Sequence, residues 1–239
     1  MVFKIIKNDF ARNKAVSITV FVFITLAVLL GASATNIIAN LIQSISELEK
    51  CAAPSDITQM HSGAYYQERI DEFVEMQREN IEMQETMYLL NIDGRYIYYG
   101  QNNSMAETIQ DISFVMQNKK FDFLLDLDNK KLDIREGEVA VPIYFMVEYN
   151  LNIGDRIMVE NGGYQREFII SDYARDFAMN SPLTSSKRFV INPVDYYEML
   201  KMQVGEIEYL IQFKLYEDAD AKAFKTAYIE ANLPANGGL

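Results

Sequence analysis

The sequence predicts an α+β protein: one N-terminal transmembrane helix, then an extracellular domain with a split β-α-β subdomain and an inserted β-rich subdomain. Three observations carry this. Residues 15–46 contain no Asp, Glu, Lys, Arg or His. The charge is divided by that stretch: residues 1–14 hold Lys4, Lys7, Arg12 and Lys14 against Asp9, whereas the remainder holds 18 basic and 33 acidic residues. Beyond residue 55, strand-like and helix-like periodicities follow in the order β-α-β, a run of short strands, then β-α.

Residues 15–34 read AVSITVFVFITLAVLLGASA. At ~1.5 Å per residue this run makes roughly 30 Å of helix, enough to cross a bilayer core. Its only polar groups are hydroxyls, which can bond back to the helix's own carbonyls. The basic flank is N-terminal, so the N-terminus is expected in the cytoplasm and the acidic remainder outside the cell membrane. We assign 15–36 to the membrane helix and 37–54 to a helical stalk, because Ile38, Leu41, Ile42 and Ile45 share one face. A cleaved secretion signal is the alternative, since Ala32-Ser33-Ala34 has a small-x-small form. The uncharged helical pattern beyond that point favours retention. In residues 1–14, Phe3, Ile6 and Phe10 fall on one helical face, with Lys4, Lys7, Arg12 and Lys14 able to reach headgroups. That pattern suits a cytoplasmic amphipathic segment on membrane lipid as well as it suits an ordinary basic flank.

In the outer region, a short strand is expected over 55–60 and an amphipathic helix over 64–83, with Tyr66, Ile70, Phe73, Val74 and Ile81 at helical spacing. A strand over 87–92, a hairpin turn at Asp93-Gly94 and a return strand over 96–99 follow. A short helix is expected around 105–118. Candidate strands then cover 121–125, 138–141, 155–160, 166–171 and 188–191, with Gly162-Gly163 as a hairpin and a helical turn over 142–150. Residues 207–215 alternate as a long half-buried strand, and Asp218 is expected to cap a last helix that Pro234 stops. The resulting division places 55–118 and 204–234 in a mixed α/β subdomain and 119–203 in the inserted β-rich one.

Composition removes several kinds of chemistry. A net charge of −12 argues against nucleic acid, whose phosphates need a cationic face. One Cys forms no internal disulfide, and one His builds no His-rich metal site. Neither a phosphate-binding glycine loop nor a nucleophile elbow is present. Counting a calcium loop from Asp126 puts Lys131 and Gly137 where Gly and Glu are required. His61 reads as a solvated turn residue, Cys51 as an unpaired thiol, and the Met76 and Met83 pair as packing on the long helix. No catalytic residue, metal site or cofactor is expected, and the chain does not read as an enzyme.

Several stretches are similar to a known family. FDFLLDLDNKKLDIREGEVAVP from residue 121, LNIGDRIMVENGG from 151 and REFIISDYARDFAMNSPLTSSKRFVINPVDYYEM from 166 resemble the extracellular domain of FtsX-like permeases. These are the membrane subunits of MacB-type ABC transporters. The opening KNDFARNK and the closing LPANGG look like the corresponding ends of such domains, and the most specific piece runs from Arg175 to Phe189. The resemblance implies an outer domain of two subdomains, an ABC ATPase partner reached through regions absent from this chain, and a second permease copy or paralogue. It also implies that ATP hydrolysis inside drives export, release or signalling outside. Arg175, Asp176, Asn180, Ser181, Ser185, Ser186 and Arg188 form a candidate motif, either fastening a turn around Pro182 by hydrogen bonds or offering a contact surface. A single-pass sensor, adaptor or binding domain without a transport role is the alternative function. The membrane reading predicts that the chain stays with membranes after carbonate washing. Recovery from the medium of a species beginning at Thr35 would overturn it.

Overall fold

The computed structural model describes residues 14–234. The expected amphipathic segment carrying Phe3, Lys4, Ile6, Lys7, Phe10 and Arg12, and the end of LPANGG, lie outside the described residues. Residues 14–47 and the residues from Leu48 onward form two compact units.

The first unit is most of α1 (Lys14–Ala52), a helix of 39 residues. It is long and apolar enough to cross a membrane. Large apolar side chains are exposed along it, among them Phe21, Phe23 and Leu30. Thr19 and Thr25 donate to the carbonyls of Ala15 and Phe21 at 3.0 and 2.8 Å, so their hydroxyls enter an apolar phase already satisfied. The helix stops where Ala53 takes a left-handed conformation (φ 46°) and Pro54 follows.

The second unit is organised on one ten-stranded mixed sheet. Its strands are β1 (Ile57–Ser62), β2 (Ile81–Asn91), β3 (Ile97–Tyr99), β4 (Asn103–Ser104), β5 (Asp111–Val115), β6 (Glu138–Pro142), β7 (Arg156–Asn161), β8 (Tyr164–Ala174), β9 (Ser186–Ile191) and β10 (Glu206–Leu215). The helices are α2 (Gln67–Met76), α3 (Ile143–Glu148), α4 (Pro193–Lys201) and α5 (Ala221–Glu230). The sheet order is β1-β10-β2-β5-β9-β6-β8-β7-β3-β4. Strand β10 pairs antiparallel with both β1 and β2, so β1-α2-β2 is a split β-α-β unit with the last strand between its two. On that side Ile70 and Phe73 of α2 and Phe224 and Tyr228 of α5 bury against Ile211 and Phe213.

Strand β9 lies at the centre and is buried along its whole length. It pairs parallel with β5 and antiparallel with β6. Side chains alternate across the sheet. Phe114 and Phe189 enter a core with Phe145 of α3 and Tyr196 and Met199 of α4. Val115 and Val190 enter another with Met87, Leu124, Leu132 and Leu210. The β7–β8 hairpin turns at Gly162 (φ 60°) and Gly163 (φ 86°), the pair of positive φ values that a two-residue hairpin needs.

Five sequence expectations are corrected. The helix expected over 64–83 ends at Met76; Gln77–Asn80 make a turn, and residues 81–91 pair with β10. Glu82, Met83 and Glu85 are helix formers, but register with a long partner strand overrides propensity, and Met76 and Met83 share no helix. The expected helix over 105–118 contains β5, held by its parallel partner. Asp93-Gly94 is no hairpin: Asp93 caps a short 3-10 turn by accepting from the Arg95 amide at 2.9 Å, and β3 pairs with β4 and β7 rather than with β2. Residues 121–125 form a loop pinned by isolated bridges of Leu125 to Lys131 and Arg175. The last helix is capped by Asp220, two residues beyond the expected Asp218. Helix α4, with Asn192 as cap and Pro193 in its first turn, carries start signals not used above.

Gly205 stands where a Cβ would press on the Asn91 carbonyl of the neighbouring strand. Gly205→Ala is expected to destabilise the domain by roughly 1–3 kcal/mol, the usual penalty of overpacking against backbone, readable as a lowered urea midpoint.

Candidate functional site

The candidate motif divides by burial. Arg188, on central β9, is 1% exposed and holds two carboxylates. Its Nε and Nη2 donate to the two oxygens of Asp176, each at 2.6 Å, and its Nη1 donates to Asp122 Oδ2 at 2.7 Å. This is the bidentate fork for which guanidinium is shaped. Asp176 is also buried, and its Oδ1 accepts from the amides of Ala178 and Met179 at 2.9 Å. Burial alone would raise the Asp176 carboxyl; the Arg188 charge and these hydrogen bonds outweigh it and hold the carboxyl below the ordinary range. Burial opposes the Arg188 charge too, and the two aspartates more than offset it.

Asp122 extends the network. Gln212 of β10 donates to its Oδ2 at 2.5 Å and accepts from Asn118 at 2.9 Å. Asp122 itself has φ 51°, and its amide donates to the Ala53 carbonyl at 2.8 Å, while the Phe123 amide donates to Ala52 at 2.7 Å. Ala52 packs among Phe123 and Leu125, with Leu48 and Phe177 beside them. Residues 48–53 are thus fastened to the loop that Arg188 holds.

Lys187 faces the other way and is also 1% exposed. Its Nζ donates to the carbonyls of Ser181 and Thr184 at 3.0 and 2.6 Å and to the Thr184 hydroxyl at 3.0 Å. Burial pulls the Lys187 ammonium down from its ordinary value, with Asp176 opposing. Two buried cations and two buried anions therefore balance, and the segment between Asp176 and Ser186 is tied at both ends. At its crest Leu183 is almost wholly exposed.

The other expected residues have separate places. Arg175 holds the same β5–β6 connection further along, donating to Asn129 Oδ1 at 2.6 Å. Asn180 is exposed and lines a shallow cleft with Tyr144, Val147 and Pro182. The Ser181 hydroxyl accepts from the Leu183 amide at 3.2 Å. The Ser185 carbonyl accepts from the Asp111 amide at 2.7 Å, and the Ser186 hydroxyl meets that of Ser113 at 3.1 Å. Lys14, from the expected membrane-interface set, begins α1 and is exposed. Sequence reasoning missed Asp122, Gln212, Asn118 and Lys187. A Lys-Arg pair opening the wholly apolar run Phe189-Val190-Ile191 was the available signal, since buried charges need partners.

Among the described residues, no group of three or more His, Cys, Asp or Glu is placed to hold a metal ion. Cys51 is exposed and unpaired, and His61 lies on β1, its Nε2 2.9 Å from the Ala64 carbonyl.

No protein-family model and no curated protein sequence matches this chain. Among solved structures it is similar to a domain of a protein described as a permease from Porphyromonas gingivalis, with a TM-score of 0.40 and 11% identity over 73% of this chain and 80% of that one. It is also similar to the periplasmic region of MacB from Actinobacillus actinomycetemcomitans, with a TM-score of 0.39 and 12% identity over 79% of this chain and 91% of that one. A protein described as a lipoprotein from Bacillus anthracis gives a TM-score of 0.34 and 8% identity over 72% of this chain and 89% of that one. These are loose overlaps.

Arg188→Met should destabilise the domain by about 3–5 kcal/mol, because it leaves two buried carboxylates without their partner. Folding favours ionised Asp176, so its contribution is complete above the unfolded value of about 4 and is lost as the pH falls toward the lower folded value. Urea midpoints at neutral and acid pH should show that loss in the parent protein and a smaller one in Arg188→Met.

Proposed function

We propose that this chain is the N-terminal part of an ABC transporter permease subunit whose outer domain couples cytoplasmic ATP hydrolysis by a partner to export, release or signalling outside the membrane. The observation that carries the reading is the fastening of residues 48–53. A tether needs no place in a core, yet Ala52 is fully buried and its carbonyl and that of Ala53 accept from the Phe123 and Asp122 amides. An element that transmits displacement needs such an attachment, because a frayed junction would absorb the motion. The resemblance at residues 121–199 supports the same reading.

In this proposal residues 15–36 lie in the membrane, 37–54 form the stalk, and the N-terminal basic residues meet cytoplasmic headgroups. The mixed α/β part comprises 55–118 and 204–234, and 119–203 forms the β-rich part. Residues 175–188 act as a scaffold: Arg188 and Asp176 brace the loop that receives the stalk, and Arg175 clasps the loop at Asn129. The ATPase and a second permease copy or paralogue are the partners, and no reaction is catalysed by the outer domain itself.

Tagging the natural gene and purifying its product from detergent-solubilised membranes tests this. An ATPase bearing a phosphate-binding glycine loop should co-purify, and nucleotide trapping should alter its yield. Purification without any ATPase would favour the sensor or adaptor reading.

A further inference from the structure

A cleft of about 820 Å³ opens where the end of β2, the start of β5 and the start of β10 meet. That volume lies within the ~300–1,000 Å³ typical of small-ligand sites. Asn91, Asp93, Arg95, Gln110, Asp111, Asn161 and Glu206 supply its polar side chains, and Tyr96 and Ile109 its larger apolar surface.

Its charge is one-sided, with Asp93, Asp111 and Glu206 against Arg95. Arg95 is held by Asp93 at 2.6 Å, so that pair cancels. The Asn161 amide nitrogen donates to the Val204 carbonyl at 2.7 Å, and that of Asn91 to Glu208 at 2.8 Å. Gln110 is 7% exposed, and its Nε2 donates to the Pro182 carbonyl at 3.2 Å. A carbonyl can only accept, which fixes the amide's orientation and leaves Oε1 without a donor. Asp111 and Glu206 are exposed, and neither has an ion-pair partner among the described residues. With Arg95 paired to Asp93, the negative charge of Asp111 and Glu206 and the unmatched Gln110 acceptor remain. A buried acceptor left unmatched is costly, so the complementary group is positive and rich in N–H.

We propose that this cleft binds a primary ammonium or guanidinium group carried on an aliphatic stem, as in a basic peptide or a polyamine. The charged group meets Asp111, Glu206 and the Gln110 Oε1. The stem lies along Ile109, which is 86% exposed at the rim. The acidic excess of the outer domain draws such a ligand in from a distance. The proposal needs the folded domain alone and stands apart from the permease reading.

The full chain in phosphatidylcholine nanodiscs can be titrated calorimetrically with tri-lysine amide, tri-arginine amide, spermidine and tri-glutamate at about 0.15 M salt. Saturable single-site binding of the cations and none of tri-glutamate is expected. Peptides binding tighter than spermidine identify a peptide site, and the reverse a polyamine site. The double variant Asp111→Asn/Glu206→Gln should weaken binding at least about tenfold, with unchanged thermal unfolding because both residues are exposed. Gln110→Leu should also weaken it, while Glu75→Gln/Glu79→Gln, outside the cleft, should leave it within about twofold. Absence of saturable binding, or equal losses in the cleft and outside variants, would overturn the proposal.

Discussion

One guanidinium holds the sheet domain together. Arg188 is buried beneath the sheet's central strand, and an unpaired charge there would be intolerable, so the chain must bring Asp176 and Asp122 to it. Each aspartate commits more structure. Asp176 shapes the turn after β8 through two backbone amides, and Asp122 carries the loop that meets Gln212 and the end of α1. Segments far apart in sequence are therefore tied to one point, a specification that apolar packing alone would leave looser.

The legibility of the fold followed the range of the interaction involved. The long apolar helix, the Gly162-Gly163 hairpin, the alternating strand over 207–215 and the split β-α-β unit could be read, because each depends on periodicity or local turn chemistry. The helix over 64–83 and the helix near 105–118 were misread where long-range pairing decides: β2 needs β10, and β5 needs β9. Gly94 shows the same limit. It was read as a turn glycine, yet its role is steric, since a Cβ there would strike the Met105 carbonyl.

The candidate motif was read either as a fastened turn or as a contact surface, and within it Arg188 donates to Asp176. Their third partner was hidden because Asp122 lies 66 residues from Arg188 among other acidic residues that face solvent. The cleft at the strand ends left no sequence signature either. Its character comes from which charges are already paired, and only the folded arrangement decides that.

The position of β10 between β1 and β2 sets the timetable by which the domain can form. Ile57 must find Phe213, more than 150 residues later, and Asp122 must find Gln212. As the chain is made from its N-terminus, β1 and β2 are formed early and cannot pair with each other, because the strand that separates them comes almost last. Until then both present open edges and Arg188 lacks part of its enclosure. Long-range closure of this kind is slow, and open edges invite wrong pairing. The nascent acidic chain, whose like charges repel neighbouring copies, is thereby kept soluble while it waits.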